Sequence, residues 1–254
     1  MVDLWANQYL VSDSLNPFHP YNQPGERLFD RFPKRVKFDI ALISGLTKDD
    51  HRKARKERLS DLNKEFDRSV CHVNRAIIVS DASVPLLNSG YQAVAAWSCW
   101  YLGKQVSLDW QSGGLATSND VETAAIAGGF SHLCDHVNID ILDEIHIFSD
   151  SINAIRQVLD ASPHSAQLSA LELLFNLRPW MESKTESSIV LHHVPDSADY
   201  VFEPHREAHN LATSTKVECG AHALRSLEFN RVQITDNALK DWDDLFSHSP
   251  AYVG

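Results

Sequence analysis

The chain has 254 residues, enough for one domain of ordinary size with extensions or for two small ones. At 43% hydrophobic and 22% charged it has the make-up of a soluble globular protein with a core. No apolar stretch is long enough to span a bilayer, and Met1 to Leu10 lacks the basic-then-apolar order of a secretory signal. The formal net charge of -11 argues against a general nucleic-acid binder, whose affinity rests on Lys and Arg against phosphates. It is compatible with a nuclease, because bound cations offset the charge of an acidic metal site. Cys71, Cys99, Cys134 and Cys219 are scattered without metal-ligand spacing and read as reduced, intracellular thiols.

In chain order, residues 1 to about 45 read as an irregular arm, with Pro17, Pro20, Pro24 and Pro33 interrupting any long helix. Lys48 to Arg68 is a charged helix with Leu59, Leu62 and Phe66 on one stripe; its mixed charges mark a solvated face rather than a nucleic-acid patch. Residues 1 to 70 are expected to pack as an arm and helix without a core of their own. The main domain spans residues 71 to 212. Cys71 to Val79 is its first strand, Tyr91 to Tyr101 the second and Lys104 to Trp110 the third, with a hairpin turn at Gly103-Lys104. Ser118 or Asn119 caps a helix running through Ala124, Ile126 and Phe130. Glu144 to Phe148 is the fourth strand. Helices follow over Ser151 to Leu159 and Gln167 to Arg178, the latter ending near Pro179. Ser188 to Val194 is the fifth strand, stopped by Pro195, and Pro204 to Ala212 is a last short helix. Antiparallel strands followed by strand–helix alternation predict an α/β fold, a mixed five-stranded sheet with helices on both faces. Residues 213 to 254 form a polar extension with a helix from Asp236 to Phe246.

Three acids stand at positions that can converge. Asp81 ends the apolar run Ala76-Ile77-Ile78-Val79-Ser80, Asp150 ends Ile145-His146-Ile147-Phe148-Ser149, and Glu122 lies at a helix start. Carboxylates at strand ends and on a facing helix make the oxygen-rich cluster that a hard divalent cation such as Mg2+ requires. Taken singly, each has a plainer use: Asp81 as a turn residue, Asp150 as a helix N-cap, Glu122 as a first-turn acid favouring the helix dipole. Asp120 competes with Glu122. His192, His193 and His205 read as surface or strand residues rather than ligands, and Trp97, Trp100 and Trp110 as strand packing rather than a base-stacking platform.

The three acids in this order resemble the ribonuclease H fold, over Cys71 to Ala212, and most of all ribonuclease H domains of retroelement reverse transcriptases. The family's strand ending in Asp appears as Val79-Ser80-Asp81-Ala82-Ser83, its helix Glu as Asn119-Asp120-Val121-Glu122, and its Ser-Asp-Ser strand end as Phe148-Ser149-Asp150-Ser151. His193-Val194-Pro195 matches the end of the last strand in retroelement members, and Gln23-Pro24-Gly25-Glu26-Arg27-Leu28 matches an arm found in fungal ones. The pattern departs at Arg206-Glu207-Ala208-His209-Asn210-Leu211-Ala212, where His209 occupies the place of a catalytic Asp. The resemblance implies a two-metal site for Mg2+ or Mn2+, in which Asp81 bridges both ions, Glu122 and Asp150 hold one, and His209 completes the other. It implies hydrolysis of the RNA strand of RNA–DNA hybrids. A degenerate module that binds nucleic acid or a protein partner, and a nuclease of other substrate on the same fold, are the alternatives.

Overall fold

The computed structural model describes residues 27–41, 47–86, 89–195, 201–220 and 223–247. The Pro-rich arm before Arg27, with most of its fungal-type motif, lies outside them, as do residues 196–200 of the loop before the last helix of the domain.

The sheet grows outward from β2 (Arg75–Ser83). Its run Ala76 to Val79 is fully buried, so it must be covered on both faces. It pairs antiparallel with β3 (Ala93–Tyr101), which pairs antiparallel with β4 (Lys104–Gly114). The β3–β4 connection is a two-residue turn with positive φ at Leu102 (50°) and Gly103 (74°), matching the twist of a hairpin. After α3 (Ser118–His136), β5 (Glu144–Ser149) returns parallel to β2. Then α4 (Ile152–Gln157) and α5 (Gln167–Ser183) lead to β6 (Ser188–His193), parallel to β5. The order β4-β3-β2-β5-β6, antiparallel on one side and parallel on the other, is the ribonuclease H-like arrangement, and the fold is of that class.

The sheet has six strands rather than five. The extra one is β1 (Val36–Asp39), preceded by α1 (Leu28–Arg31) and laid parallel along β6 at the sheet edge. Four residues carry too little alternation to separate a strand from a loop; their pairing with β6 makes the strand. Several boundaries also differ: β3 starts at Ala93, β4 runs on to Gly114 and α4 ends at Gln157, and three further shifts have a clear cause. β2 starts at Arg75 and runs past Asp81, because α2 (Lys48–Val70) extends to Val70 and Cys71 closes it. α5 continues through Pro179, and Trp180 and Met181 are buried beyond it. Burying these side chains offsets the hydrogen bond that proline removes. α7 (Leu227–Ser247) begins nine residues before the expected Asp236, with Phe229 N–H donating to the Ser226 hydroxyl at 3.0 Å.

The period of two along β2 divides the core. Ala76 and Ile78 belong to the larger cluster, with Trp97, Ile126, Phe130 and Leu177. Ile77 and Val79 belong to the other, where the expected stripe Leu59, Leu62 and Phe66 of α2 meets Phe148, Val194 and Phe202. Each aliphatic side chain buried this way contributes roughly 1.5–3 kcal/mol.

A chain of polar groups, buried at His146 and His192 and partly exposed at its ends, ties β1 and α2 to the sheet. Arg75 donates to Glu144 Oε2 at 2.9 Å, and His146 Nε2 lies 3.2 Å from the same oxygen. His146 Nδ1 and His192 Nε2 are 2.9 Å apart, and His192 Nδ1 lies 2.7 Å from Asp39 Oδ2. Arg58 donates to both Asp39 carboxylate oxygens at 2.9 Å. Hydrogen bonding by His192, then by Arg58, holds Asp39 at about 2 from an ordinary 3.8; His146 does the same for Glu144, at about 2 from 4.5. Burial pushes His192 below its ordinary 6.5. All three shifts act in one direction. The depressed carboxyls add stability above about pH 4 that is lost as pH falls toward 2, and the buried neutral imidazole resists the protonation that the unfolded chain accepts below about 6.5. Asp39→Asn is therefore expected to lower the urea midpoint at neutral pH and to flatten its decline in acid. A variant whose pH profile runs parallel to the native one would remove this chain as the acid-sensitive element.

Candidate metal centre

β2 sets Asp81. The residue is 2% exposed, and its backbone is held opposite Ala96 of β3. It follows Ile77 and Val79 at even spacing, so its side chain lies on their face of the sheet. That face is covered toward the end of the strand by α6 (Glu203–Ser214), which carries His205 and His209 four residues apart on one side.

The plainer uses of the other two acids are taken by neighbours. Ser151 caps α4, its hydroxyl accepting from Ala154 N–H at 3.2 Å, so Asp150 is not needed there. Thr117 caps α3 in a capping box whose N3 acid is Asp120. Asp120 Oδ2 also accepts from the Ser226 hydroxyl at 2.6 Å, which binds the start of α7 to α3. Asp120 is thus committed to structure. Glu122 is 6% exposed, takes a hydrogen bond from the backbone of Ala82, and leaves Oε2 buried without a partner. Burial, with Asp150 and Asp81 adding repulsion, pushes it up to about 9.

Asp81, Asp150 and His205 each present a ligand atom within 4.8 Å of the other two. His205 Nε2 stands 3.9 Å from Asp81 Oδ1, and it is buried without a hydrogen-bond partner. His209 lies outside that trio. Its Nδ1 is 2.7 Å from Asp81 Oδ2, and its side chain is 54% exposed against 14% for His205. Sequence reasoning passed over His205. The available signal was its i, i+4 spacing from His209 on a helix, which also occurs on surface helices without function. His192 is buried in the polar chain described above, and Trp97 packs in the core as expected; Trp110 is 40% exposed on β4.

Three acids converge here with an imidazole, and two buried atoms, Glu122 Oε2 and His205 Nε2, lack partners. Buried polar atoms are ordinarily satisfied. This donor set fits a divalent cation, which would pair both orphans and offset the clustered charge.

No family model matches the chain, and no curated protein matches it. Among solved structures it is similar to ribonuclease H1 of the halophilic archaeon Halobacterium salinarum, at 19% identity over 55% of this chain and 95% of that one, with a TM-score of 0.38. It is also similar to an N-terminal ribonuclease H domain from Mycobacterium tuberculosis, at 16% identity over 56% and 98%, TM-score 0.41. A third is a ribonuclease H1 isolated from compost, solved in complex with an RNA/DNA hybrid, at 18% identity over 55% and 99%, TM-score 0.36. Among the described residues, no helix is long and apolar enough to cross a membrane.

Proposed function

We propose that the chain is a metal-dependent endonuclease that hydrolyses the RNA strand of RNA–DNA hybrids. The observation that supports this most is the convergence of Asp81 and Asp150 with an α6 imidazole, beside the buried, partly unpaired Glu122. In this reading Asp81, Glu122 and Asp150 supply the carboxylates for Mg2+ or Mn2+, and α6 supplies imidazole, from His209 or His205, where the related enzymes have a fourth carboxylate. A bound divalent ion lowers the pKa of its water and steadies charge on the phosphodiester. The residues themselves orient: β2 and β5 fix two carboxylates from adjacent parallel strands, and α3 brings the third over the strand ends. Selection of a hybrid would come from 2′-hydroxyl contacts across a wide minor groove. The motifs ending at Asp81, Asp150 and Pro195 extend the proposal to a retroelement origin, and the reduced thiols to an intracellular setting.

The second reading, a degenerate module that binds nucleic acid or a protein partner, is favoured by one feature: His209 stands where the family has an acid and bonds to Asp81. Cleavage assays on hybrid, RNA duplex and DNA duplex, with Mg2+ and with Mn2+, separate the two. The hybrid's RNA strand is expected to be cut, and Asp150→Asn to slow this roughly 100-fold or more, the scale of losing one electrostatic stabiliser of a transition state. Native cleavage indifferent to Asp150→Asn would end the assignment. No cleavage by the native chain with either ion, and cleavage by His209→Asp, would establish the degenerate reading.

A further inference from the structure

Resting on the metal reading above, we propose that His205 is a direct nitrogen ligand, that His209 is a positioning residue for Asp81, and that the centre consequently holds one first-row transition ion such as Mn2+ in preference to Mg2+.

The two oxygens of Asp81 are divided between the two imidazoles. Oδ2 lies 2.7 Å from His209 Nδ1, a hydrogen bond that uses the nitrogen facing the site. Oδ1 lies 3.9 Å from His205 Nε2, beyond hydrogen-bond reach and close enough for both atoms to share one ion. His205 Nε2 is buried and unpaired, and it falls within 4.8 Å of ligand atoms on both Asp81 and Asp150. Glu122, nine-tenths buried, leaves its own Oε2 unpaired next to the same two acids. A shared cation would satisfy the nitrogen and that oxygen together. His209 is more than half exposed and already bonded, and so holds the Asp81 carboxylate in place from outside, as hydrogen-bonding partners of metal ligands do.

The donor class then decides the ion. Mg2+ keeps an oxygen shell and dehydrates reluctantly, whereas imidazole suits first-row transition ions, whose affinities rise from Mn2+ toward Cu2+. A centre with two or three carboxylates and one imidazole discriminates against Mg2+ in a way an all-carboxylate centre does not.

Isothermal titration of the full chain with Mn2+ and Mg2+, joined to pulsed electron paramagnetic resonance of bound Mn2+, tests this without recourse to activity. The native chain is expected to bind Mn2+ at least about tenfold more tightly than Mg2+ and to show nitrogen modulation from a coordinated imidazole. His205→Gln should lose the nitrogen signal and most of the preference. His205→Asp, which keeps a ligand at the position, should bind Mn2+ without nitrogen modulation and shift the preference toward Mg2+. His209→Gln should keep the nitrogen signal. Modulation absent from the native chain, surviving in both His205 variants, or abolished by His209→Gln would overturn the proposal. Tight Mn2+ binding without nitrogen modulation overturns the proposal and leaves the metal reading standing. Absence of binding by either ion overturns the metal reading with it.

Discussion

Glu122→Gln is expected to raise the melting temperature of the metal-free protein, and to remove most of the stabilisation that divalent ions confer. Glu122 is buried against Asp81 and Asp150 and sits at about 9, against 4.5 for a free side chain. The unfolded chain therefore releases its proton as pH rises through about 4.5, while the folded chain holds it until about 9. Such a group subtracts stability progressively across that interval, on the order of 3 kcal/mol at pH 7. Glutamine keeps the shape and an oxygen for the Ala82 N–H, and has no charge to suppress. The gain should be roughly 5–10 °C at pH 7, larger at about pH 8.5 and absent below about pH 4.5. In the native chain an ion must displace the Glu122 proton, so ion binding should strengthen as pH rises; in the variant it should lose that dependence. Calorimetry with chelator and with added ion, at three pH values, measures both effects. A variant no more stable than the native chain at about pH 8.5 would contradict the burial and crowding inferred for Glu122. A more stable variant would mark Glu122 as an acid kept at a cost in stability, as expected where function rather than folding selects a residue.

Trp97→Ala is expected to cost about 3–5 kcal/mol, the range for removing a fully buried aromatic side chain. Trp97 is 1% exposed in the middle of β3, and its ring lies directly under α3. Its Nε1 has no hydrogen-bond partner, so the loss is one of packing. The helix meets it with Gly128 and Gly129. A Cβ at Gly128 would stand 2.5 Å from Trp97 Cζ3, and one at Gly129 would stand 2.6 Å from Ile78 Cγ2. Gly128→Ala should therefore destabilise by roughly 1–3 kcal/mol through overpacking. The same change in a Trp97→Ala background should cost much less, because the atoms it meets are gone. A double-mutant cycle by urea denaturation reads this coupling, and strict additivity would mean that α3 does not rest on the indole. The contact bears on the site as well. Glu122 lies two turns before Gly129 on the same helix, and Asp81 three residues after Ile78 on the strand beneath.

The two halves of the site differ in how much of them the sequence carried. The convergence of Asp81 and Asp150 was legible because each follows a short, mostly apolar run, as a strand buried on both faces does. Parallel strands side by side then bring their ends together. The α2 stripe Leu59, Leu62 and Phe66 could be read from spacing alone, whereas the division of Ala76, Ile77, Ile78 and Val79 between the two faces, all four being apolar, came with the structure. Local chemistry also carried the start of α3, displaced by one residue to Thr117.

What pairing and docking supply could not be read from local pattern. β1 is a strand because β6 offers it a free edge, and four residues have no period of their own to announce it. α5 runs through Pro179 because burial beyond the proline outweighs one lost hydrogen bond. The division of labour between neighbouring polar residues, with Asp120 in the capping box of α3 and Ser151 capping α4 while Glu122 and Asp150 turn to the site, depends on which hydrogen-bond partners the fold brings within reach. His205 and His209 are the clearest case. Two histidines one turn apart on an amphipathic helix are equivalent in sequence. Only the docking of α6 over the end of β2 makes one a buried, unpaired nitrogen beside Asp81 and Asp150 and the other an exposed partner of Asp81. Spacing along a chain determines what can share a face, and packing against another element determines how deep each member of that face lies.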